Sequence, residues 1–484
     1  MKLRSYASPS SRWLSTSLLG LALAGCIGTA LAQQAPGRGG PSGPAVRVTA
    51  PVVLAGATVE VAGSGFKPGQ KITLSAGGAA LNAQPYVADG EGKFAGTLVV
   101  PADAGLGAYP VTVAADGTAE GLSPLQLKIS KQVPLSGQGG FEVVSRKLVQ
   151  GLYQSAYSAK GNAVFVTSAV GRPPVSQSAL LKVDPRSLDI LAQVAPQPAP
   201  VQPREGDGED GPAAGGRQGA REPGVYAVYG VAVDDAHGNV WVTNTRQNTV
   251  AVYRQSDLKL VKQFPVGAVP HSRDVVVDAA RGRAYVSAVG EDYIAVFDTR
   301  KLAPLANIPV ASATAGGTFA PVSLSLDAAT GKVYAVSLRS AEAAVIDGPT
   351  GKVDKVIPLQ GTQGAIGVAY DSAAHHLLAV SQSSDNLLIV DVASGRVLHD
   401  VYVGAGALGV AYDPVHRLAY VASRAAGTVT VVDAQGRIVA NLDGGTYPNH
   451  VAADGKGDVF LINKSRGEDD PQGDRITRIT PRAQ

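Results

Sequence analysis

The sequence predicts an all-β chain, a β-sandwich followed by a seven-bladed β-propeller. Three observations carry this reading. Glycine and proline are abundant (58 and 31 of 484 residues) while aromatics are 5%, a mix suited to short strands joined by many turns. Residues 45–130 hold six short runs of strand character with turn signals between them. From Phe141 onward the chain repeats itself every 40 to 50 residues, which marks a repeat architecture.

The first segments are not part of either body. Lys2, Arg4 and Arg12 precede a largely apolar stretch that runs to Ala32, and Ala30-Leu31-Ala32 before Gln33 has the A-x-A form of a signal cleavage site. Residues 1–32 therefore read as an export signal cut after Ala32. The alternative is a lipid anchor, because Leu23-Ala24-Gly25-Cys26 resembles the lipobox of bacterial lipoproteins, with Cys26 as the lipidated residue. Cys26 is the one cysteine of the chain, so no intramolecular disulfide is expected and stability rests on burial and sheet hydrogen bonds. Residues 33–44 are a Pro/Gly linker. No later stretch has the roughly 18 apolar residues of a membrane span. A periplasmic or surface-associated location follows, and a monomer is expected.

The sandwich strands read AVRVTA, ATVEVAG, KITLSA, KFAGTLVV, YPVTVAA and LQLKIS, punctuated by KPGQ and DGEG. The run GSGFKPGQKITLSA resembles the Ig-like modules of bacterial exported proteins. Gly63-Ser64-Gly65 with Gly69 has the wrong spacing for a nucleotide loop, and no helix follows. Residues 131–140 read as a linker to the second domain, residues 141–484.

Each repeat is a strand, a turn that opens with Asp, a second strand, a third, and in most units a fourth. The turn aspartates are Asp234, Asp278, Asp327, Asp371, Asp413 and Asp454, 41 to 49 residues apart. Four strands per unit is the form of a propeller blade. An earlier unit at LYQSAYSAKGNAVFVTS lacks the Asp, which brings the count to seven. The strand FEVVSRKL, residues 141–148, precedes the first unit and has no partner there. Placed as the outer strand of the last unit, it closes the ring and removes two open edges. Residues 197–224 between the first and second units are rich in Gly and Pro and read as a disordered insertion. EGDGEDG within it lacks the alternation and closing Glu of an EF-hand.

The segments AYVSAVGEDYIAVFDTRKLAPLANIPV and LAYVASRAAGTVTVVDAQGRIVANLDGG resemble the YVTN-type propeller repeat. TYPNHVAADGKGDVF and SRDVVVDAARGRAYVSAVG resemble the last and a middle blade of the YncE family of exported bacterial propellers. The resemblance covers residues 141–484. It implies an exported seven-bladed scaffold with no catalytic residues firmly assigned.

In a propeller the loops entering the innermost strands and those joining second to third strands meet at one end, over the central channel. His271, Arg273, Tyr447, Asn449 and His450 fall in the first kind, as do Tyr153, Gln154 and Tyr229. Arg246, Arg339, Arg424, Lys464 and Arg466 fall in the second. A basic face with interleaved Tyr suits an anionic ligand or a protein partner. Nucleic acid as a single strand is an alternative, although a net charge of +3 is mild. Glu291, Asp292 and Asp385 would oppose an anion there. Enzyme templates are absent: there is no H-E-x-x-H, no G-x-S-x-G and no cysteine nucleophile outside the signal. A lyase or lactonase using a channel histidine is the enzymatic alternative. No catalytic residue, cofactor or metal is assigned. The repeated aspartates are read as turn residues.

Overall fold

The computed structural model describes residues 43–200 and 224–482. The cleavage site at Ala32, Cys26, most of the 33–44 linker and most of the 197–224 insertion lie outside the described residues. The described chain is all-β apart from two short 3-10 turns, and it falls within one unit, Pro41–Gln484.

All six strands expected between residues 45 and 130 form. One sheet pairs Ala45–Val48, Thr58–Ser64 and Phe94–Val99. The other centres on Leu125–Ser130, Gly107–Ala115 and Lys71–Ala76, extended by two-residue strands. Alternate residues point inward, as in Val59 and Val61, Ile72 and Leu74, Leu127 and Ile129, and they share one buried cluster. The punctuation works as turn chemistry predicts. Asp89 Oδ1 accepts the backbone N–H groups of Glu91 and Lys93 at 2.9 Å each, an Asx-type turn.

Seven successive sheets follow, six of four strands and one of five. The third sheet has five because its outer strand is split into Ala303–Pro304 and Ile308–Pro309, both paired with Tyr293–Asp298. Proline at these outer-edge positions removes a ladder donor that no further strand needs. The middle strands are buried along nearly their whole length. In His376–Ser381 every residue after the first is buried, because sheets pack face to face and cover both sides. Trp241 shows the packing between neighbours: its ring lies 5.9 Å from Phe264 in its own sheet and 5.7 Å from Phe297 in the next.

The series of sheets returns on itself in three ways. Each first strand touches the first strand of the following sheet, and Leu152–Ser158 touches Pro448–Ala453. Leu152, Val164 and Leu181 of the first sheet share a buried cluster with Phe460, Ile462 and Ile476 of the seventh. The strand Phe141–Lys147 pairs antiparallel with Arg475–Pro481, from Phe141 opposite Pro481 to Lys147 opposite Arg475. The unpartnered strand of the sequence is thus the outer strand of the last sheet.

The repeated aspartates cap turns, as do those that end third strands, such as Asp298. Asp371 Oδ1 accepts from the Ala373 and Ala374 amides, and Asp298 Oδ1 from Arg300 and Lys301. His237 and His416 each hydrogen-bond the turn Asp three residues earlier, at 2.8 and 2.6 Å. In the first sheet, which lacks the Asp, Ser158 Oγ accepts the Gly161 amide at 2.9 Å.

Residues 131–140, expected as a linker, are strapped to the sheets. Asn441 Nδ2 donates to the Val133 and Pro134 carbonyls at 2.9 and 3.3 Å. The Lys131 amide donates to the Tyr402 hydroxyl at 2.8 Å. Beside this strap Asp385, 2% exposed, accepts from Lys128 Nζ, from Ser130 Oγ at 2.7 Å and from the Gly406 amide at 2.6 Å.

Candidate functional site

A shared backbone device presents the residues that enter the innermost strands. Gly151, His271, Gly406 and Tyr447 immediately precede first strands, and all four are left-handed, with φ of 81°, 43°, 78° and 48°. At Gly406 a Cβ would stand 2.8 Å from the Ala425 nitrogen, so glycine is needed there. His271 and Tyr447 hold the same turn at a strain of about 1 kcal/mol. A register shift follows each one, between Leu152 and Ser155, Ser272 and Val275, Ala407 and Gly409, and Pro448 and His450. A bulge re-aims the side chains it displaces. The displaced residues are Tyr153 and Gln154, Arg273 and Asp274, Leu408, and Asn449.

These bulges place the polar groups together. Arg424 donates to Asn449 Oδ1 at 2.5 Å, and Asn449 Nδ2 donates to the Tyr153 carbonyl at 2.7 Å. The Tyr153 and Tyr229 rings meet edge to face at 4.9 Å. Cations cover the aromatic surfaces: Lys464 lies 4.9 Å from the Tyr153 ring centre, Arg424 and Arg466 lie 5.1 and 5.5 Å from that of Tyr447, and Arg246 lies 5.9 Å from that of Tyr229. Such contacts favour the charged form without neutralising it.

Deeper in, four sheets meet. Arg273 donates to the Val322 carbonyl at 2.9 Å and to Ser323 Oγ at 2.6 Å. Asp274 accepts from the Leu324 amide at 2.9 Å and the Val275 amide at 3.0 Å, and hydrogen-bonds the Gln154 side chain. Burial raises the pKa of Asp274, with Arg273 and these bonds opposing it. The Ser155 amide donates to His450 Nδ1 at 3.3 Å. Burial, reinforced by the Arg273 charge, pushes the His450 pKa down to about 3, so its ring is neutral and carries its proton on Nε2. His450 is nonetheless only partly shielded from solvent.

Positive charge dominates the electrostatics, with Asp474 opposing it at Lys464. Burial and the charges of Arg246 and Arg273 lower the His271 pKa. Burial first, then the Arg424 charge, lowers that of Lys464 to about 8. Burial lowers the Arg424 pKa too, from a start so high that the guanidinium stays charged. Among the described residues none of Arg246, Arg273, Arg424, Lys464 and Arg466 forms an ion pair. No group of three or more His, Cys, Asp or Glu able to hold a metal occurs among them either.

The structure therefore links His271, Arg273, Tyr447, Asn449, His450, Arg246, Arg424 and Lys464. It does not bring Arg339 to them. Arg339 is exposed and makes no hydrogen bond or ion pair among the described residues. Its loop is organised by Glu342, which accepts from Ser312, Thr314 and Ser340. Asp385, expected as an opposing acid at this end, is consumed by Lys128 and Ser130. Sequence reasoning missed Ser323 and Ser155, whose partners come from other sheets and leave no local signal.

A closed series of sheets with converging loops defines the class, a β-propeller scaffold. No family model matches the chain. It is homologous to the uncharacterized protein YncE of Salmonella typhi, with 25% identity over 356 residues, 70% of this chain and 91% of that protein. YncE of Salmonella typhimurium gives 24% over the same length. Among solved structures, virginiamycin B lyase from Staphylococcus aureus matches with a TM-score of 0.52 at 12% identity, covering 70% of this chain and 99% of that one. Kuenenia stuttgartiensis hydrazine synthase matches at 0.51 and 17%, covering 65% and 92%. At these identities the likeness is one of fold. No helix among the described residues is long and apolar enough to cross a membrane.

Proposed function

We propose that the chain is an exported binding protein of the cell envelope: an Ig-like sandwich over residues 45–130 fixed to a seven-bladed YVTN-type propeller over residues 141–484, which holds an anionic ligand over the channel mouth. The ring of first-strand contacts supports the blade count, and Lys2, Arg4, Arg12 and the Ala30–Ala32 site support export. The observation that carries the binding role is that, among the described residues, Arg246, Arg273, Arg424, Lys464 and Arg466 form no ion pair. Arg246 and Arg466 are exposed, but Arg273, Arg424 and Lys464 are partly enclosed; enclosing charge without a counter-ion costs stability, and a ligand carboxylate or phosphate would supply one. Tyr153, Tyr229 and Tyr447 give that ligand a firm, partly apolar floor.

The lyase or lactonase alternative meets an obstacle at His450. Its Nδ1 is occupied by the Ser155 amide and its Nε2 carries the proton, so the ring has no free site to act as a base. The single-stranded nucleic acid alternative makes a separable prediction, a steep loss of affinity with salt.

Calorimetric titration of the mature chain with oxalate, inorganic phosphate and a short oligothymidylate tests the reading. Oxalate or phosphate binding that weakens at least tenfold in Arg424→Met supports it. Absence of binding by either anion at millimolar concentration, or equal binding by an Arg246, Arg424 and Lys464 triple substitution, overturns it. Tight oligothymidylate binding with a steep salt slope and no small-anion binding would favour the nucleic acid alternative instead.

A further inference from the structure

Lys464 differs from the exposed lysines of the chain. Its Nζ makes no hydrogen bond or ion pair among the described residues. It rests on the Tyr153 ring, enclosed by protein, with Arg424 and Arg246 as neighbouring positive charges that outweigh the opposing charge of Asp474. It is also not sealed, because part of the residue remains accessible. An amine that is desolvated, crowded by like charge and still reachable is the arrangement that activates lysine as a nucleophile. With a pKa near 8, its neutral fraction at pH 7 exceeds that of an ordinary lysine by roughly two orders of magnitude.

We propose that Lys464 forms an imine with a small 2-oxo acid whose carboxylate is held by Arg424. This rests on the anion-binding reading and names the chemical class of the ligand. The two groups flank the same residue: Lys464 covers the Tyr153 ring, and Arg424 is tied through Asn449 to the Tyr153 carbonyl. A ligand with adjacent carbonyl and carboxylate matches that juxtaposition. The Nζ lone pair attacks the carbonyl carbon, forming the C–N bond as the C=O π bond breaks. A proton moves from nitrogen to oxygen to give the carbinolamine. The hydroxyl then leaves as water, with the second nitrogen proton, and the C=N bond forms. One water is released and no oxidant or reductant is consumed.

Glyoxylate with cyanoborohydride reduces any imine to a carboxymethyl-lysine that peptide mass mapping locates. In the full mature chain at pH 7 the expected result is one adduct, on Lys464, at least tenfold faster than at exposed Lys67 and Lys259. Oxalate should slow it by competition. Propanal, which lacks the carboxylate, should show a smaller preference for Lys464 than glyoxylate does, and Arg424→Met should slow glyoxylate labelling more than propanal labelling. Lys464→Arg should abolish the fast phase while keeping the charge and the thermal midpoint. Labelling spread evenly over surface lysines, or an undiminished fast phase in Lys464→Arg, overturns the proposal. Oxalate binding without fast labelling sinks the imine and leaves the anion site standing. Absence of both sinks the two together, and fast labelling that oxalate does not slow overturns the shared site.

Discussion

Arg424 donates to Asn449 Oδ1 at 2.5 Å, so an enclosed guanidinium has a neutral amide for its partner where a carboxylate would be expected. Asn449 uses its other end on the Tyr153 carbonyl, which fixes the amide orientation. A structural arginine in this setting would normally be paired, since removing one partner of a buried pair costs several kcal/mol. Arg424→Met should therefore leave the thermal midpoint unchanged or raise it, while oxalate affinity falls at least tenfold. A drop of several degrees by circular dichroism would show that Arg424 serves the fold.

Lys464 should make binding pH-dependent. Its pKa falls from 10.5 to about 8 in the folded chain. Between these values the unfolded chain holds the proton and the folded one does not, so stability rises with pH across that window. Anion affinity should move the other way, as the charge is lost above pH 8. Oxalate titration at pH 7 and 9.5 should show a several-fold loss in the wild type and little change in Lys464→Arg.

His450 sets an acid limit. Its pKa falls from 6.5 to about 3 on folding. Its contribution is fully present above pH 6.5 and is lost as pH falls toward 3, where the unfolded chain takes up a proton that the folded one refuses. The effect is on the order of 2–4 kcal/mol. His450→Asn keeps an acceptor near the Ser155 amide and removes the titration. Denaturant melts at pH 7, 5 and 4 should give a shallower decline for this variant, and parallel declines would count against the assignment.

Much of the fold was legible because turn chemistry is local. Asp234, Asp278 and their equivalents cap backbone amides within a few residues, so their spacing exposes the repeat. The stray strand at Phe141 could be placed because an open ring leaves an edge. The site was legible only by loop position. His271 and Tyr447 occupy the left-handed position that glycine fills at 151 and 406, and nothing in those side chains announces it. Arg339 shares a loop position with Arg424 yet stands apart, because Glu342 gathers its own neighbours. Asp385 looked like an acid of the channel mouth. Its partners Lys128 and Ser130 lie more than 250 residues earlier in the chain, beyond any local pattern.

Asp385 should hold the strands of residues 45–130 to the propeller. It is 2% exposed and accepts from Lys128, Ser130 and Gly406. Asp385→Ala strands the Gly406 amide and the Lys128 ammonium, which is a quarter exposed and so recovers some hydration. A loss of about 2–3 kcal/mol is expected. The strap at residues 131–140 should then become cleavable, seen as limited proteolysis into two fragments that the wild type resists. Anion binding should be unaffected.

Ring closure should be cooperative. Phe141 is buried among Tyr420, Val459 and Ile479, and its strand covers the outer edge of the last sheet along seven residue pairs. Arg475 adds bonds to Ser145 Oγ at 2.8 Å and to the Ser145 carbonyl at 3.2 Å. Truncation after Asp474 removes the inner partner of this pairing. It leaves Phe141–Lys147 without a ladder and Val459–Asn463 with an open edge, while Phe460 and Ile462 lose the Ile476 contact that joins first and seventh sheets. Exposed edges of this kind recruit other strands. The truncated chain should lose its single sharp unfolding transition and appear as dimers or larger species by light scattering. A monomer with wild-type cooperativity would mean that the first-strand contacts alone close the ring.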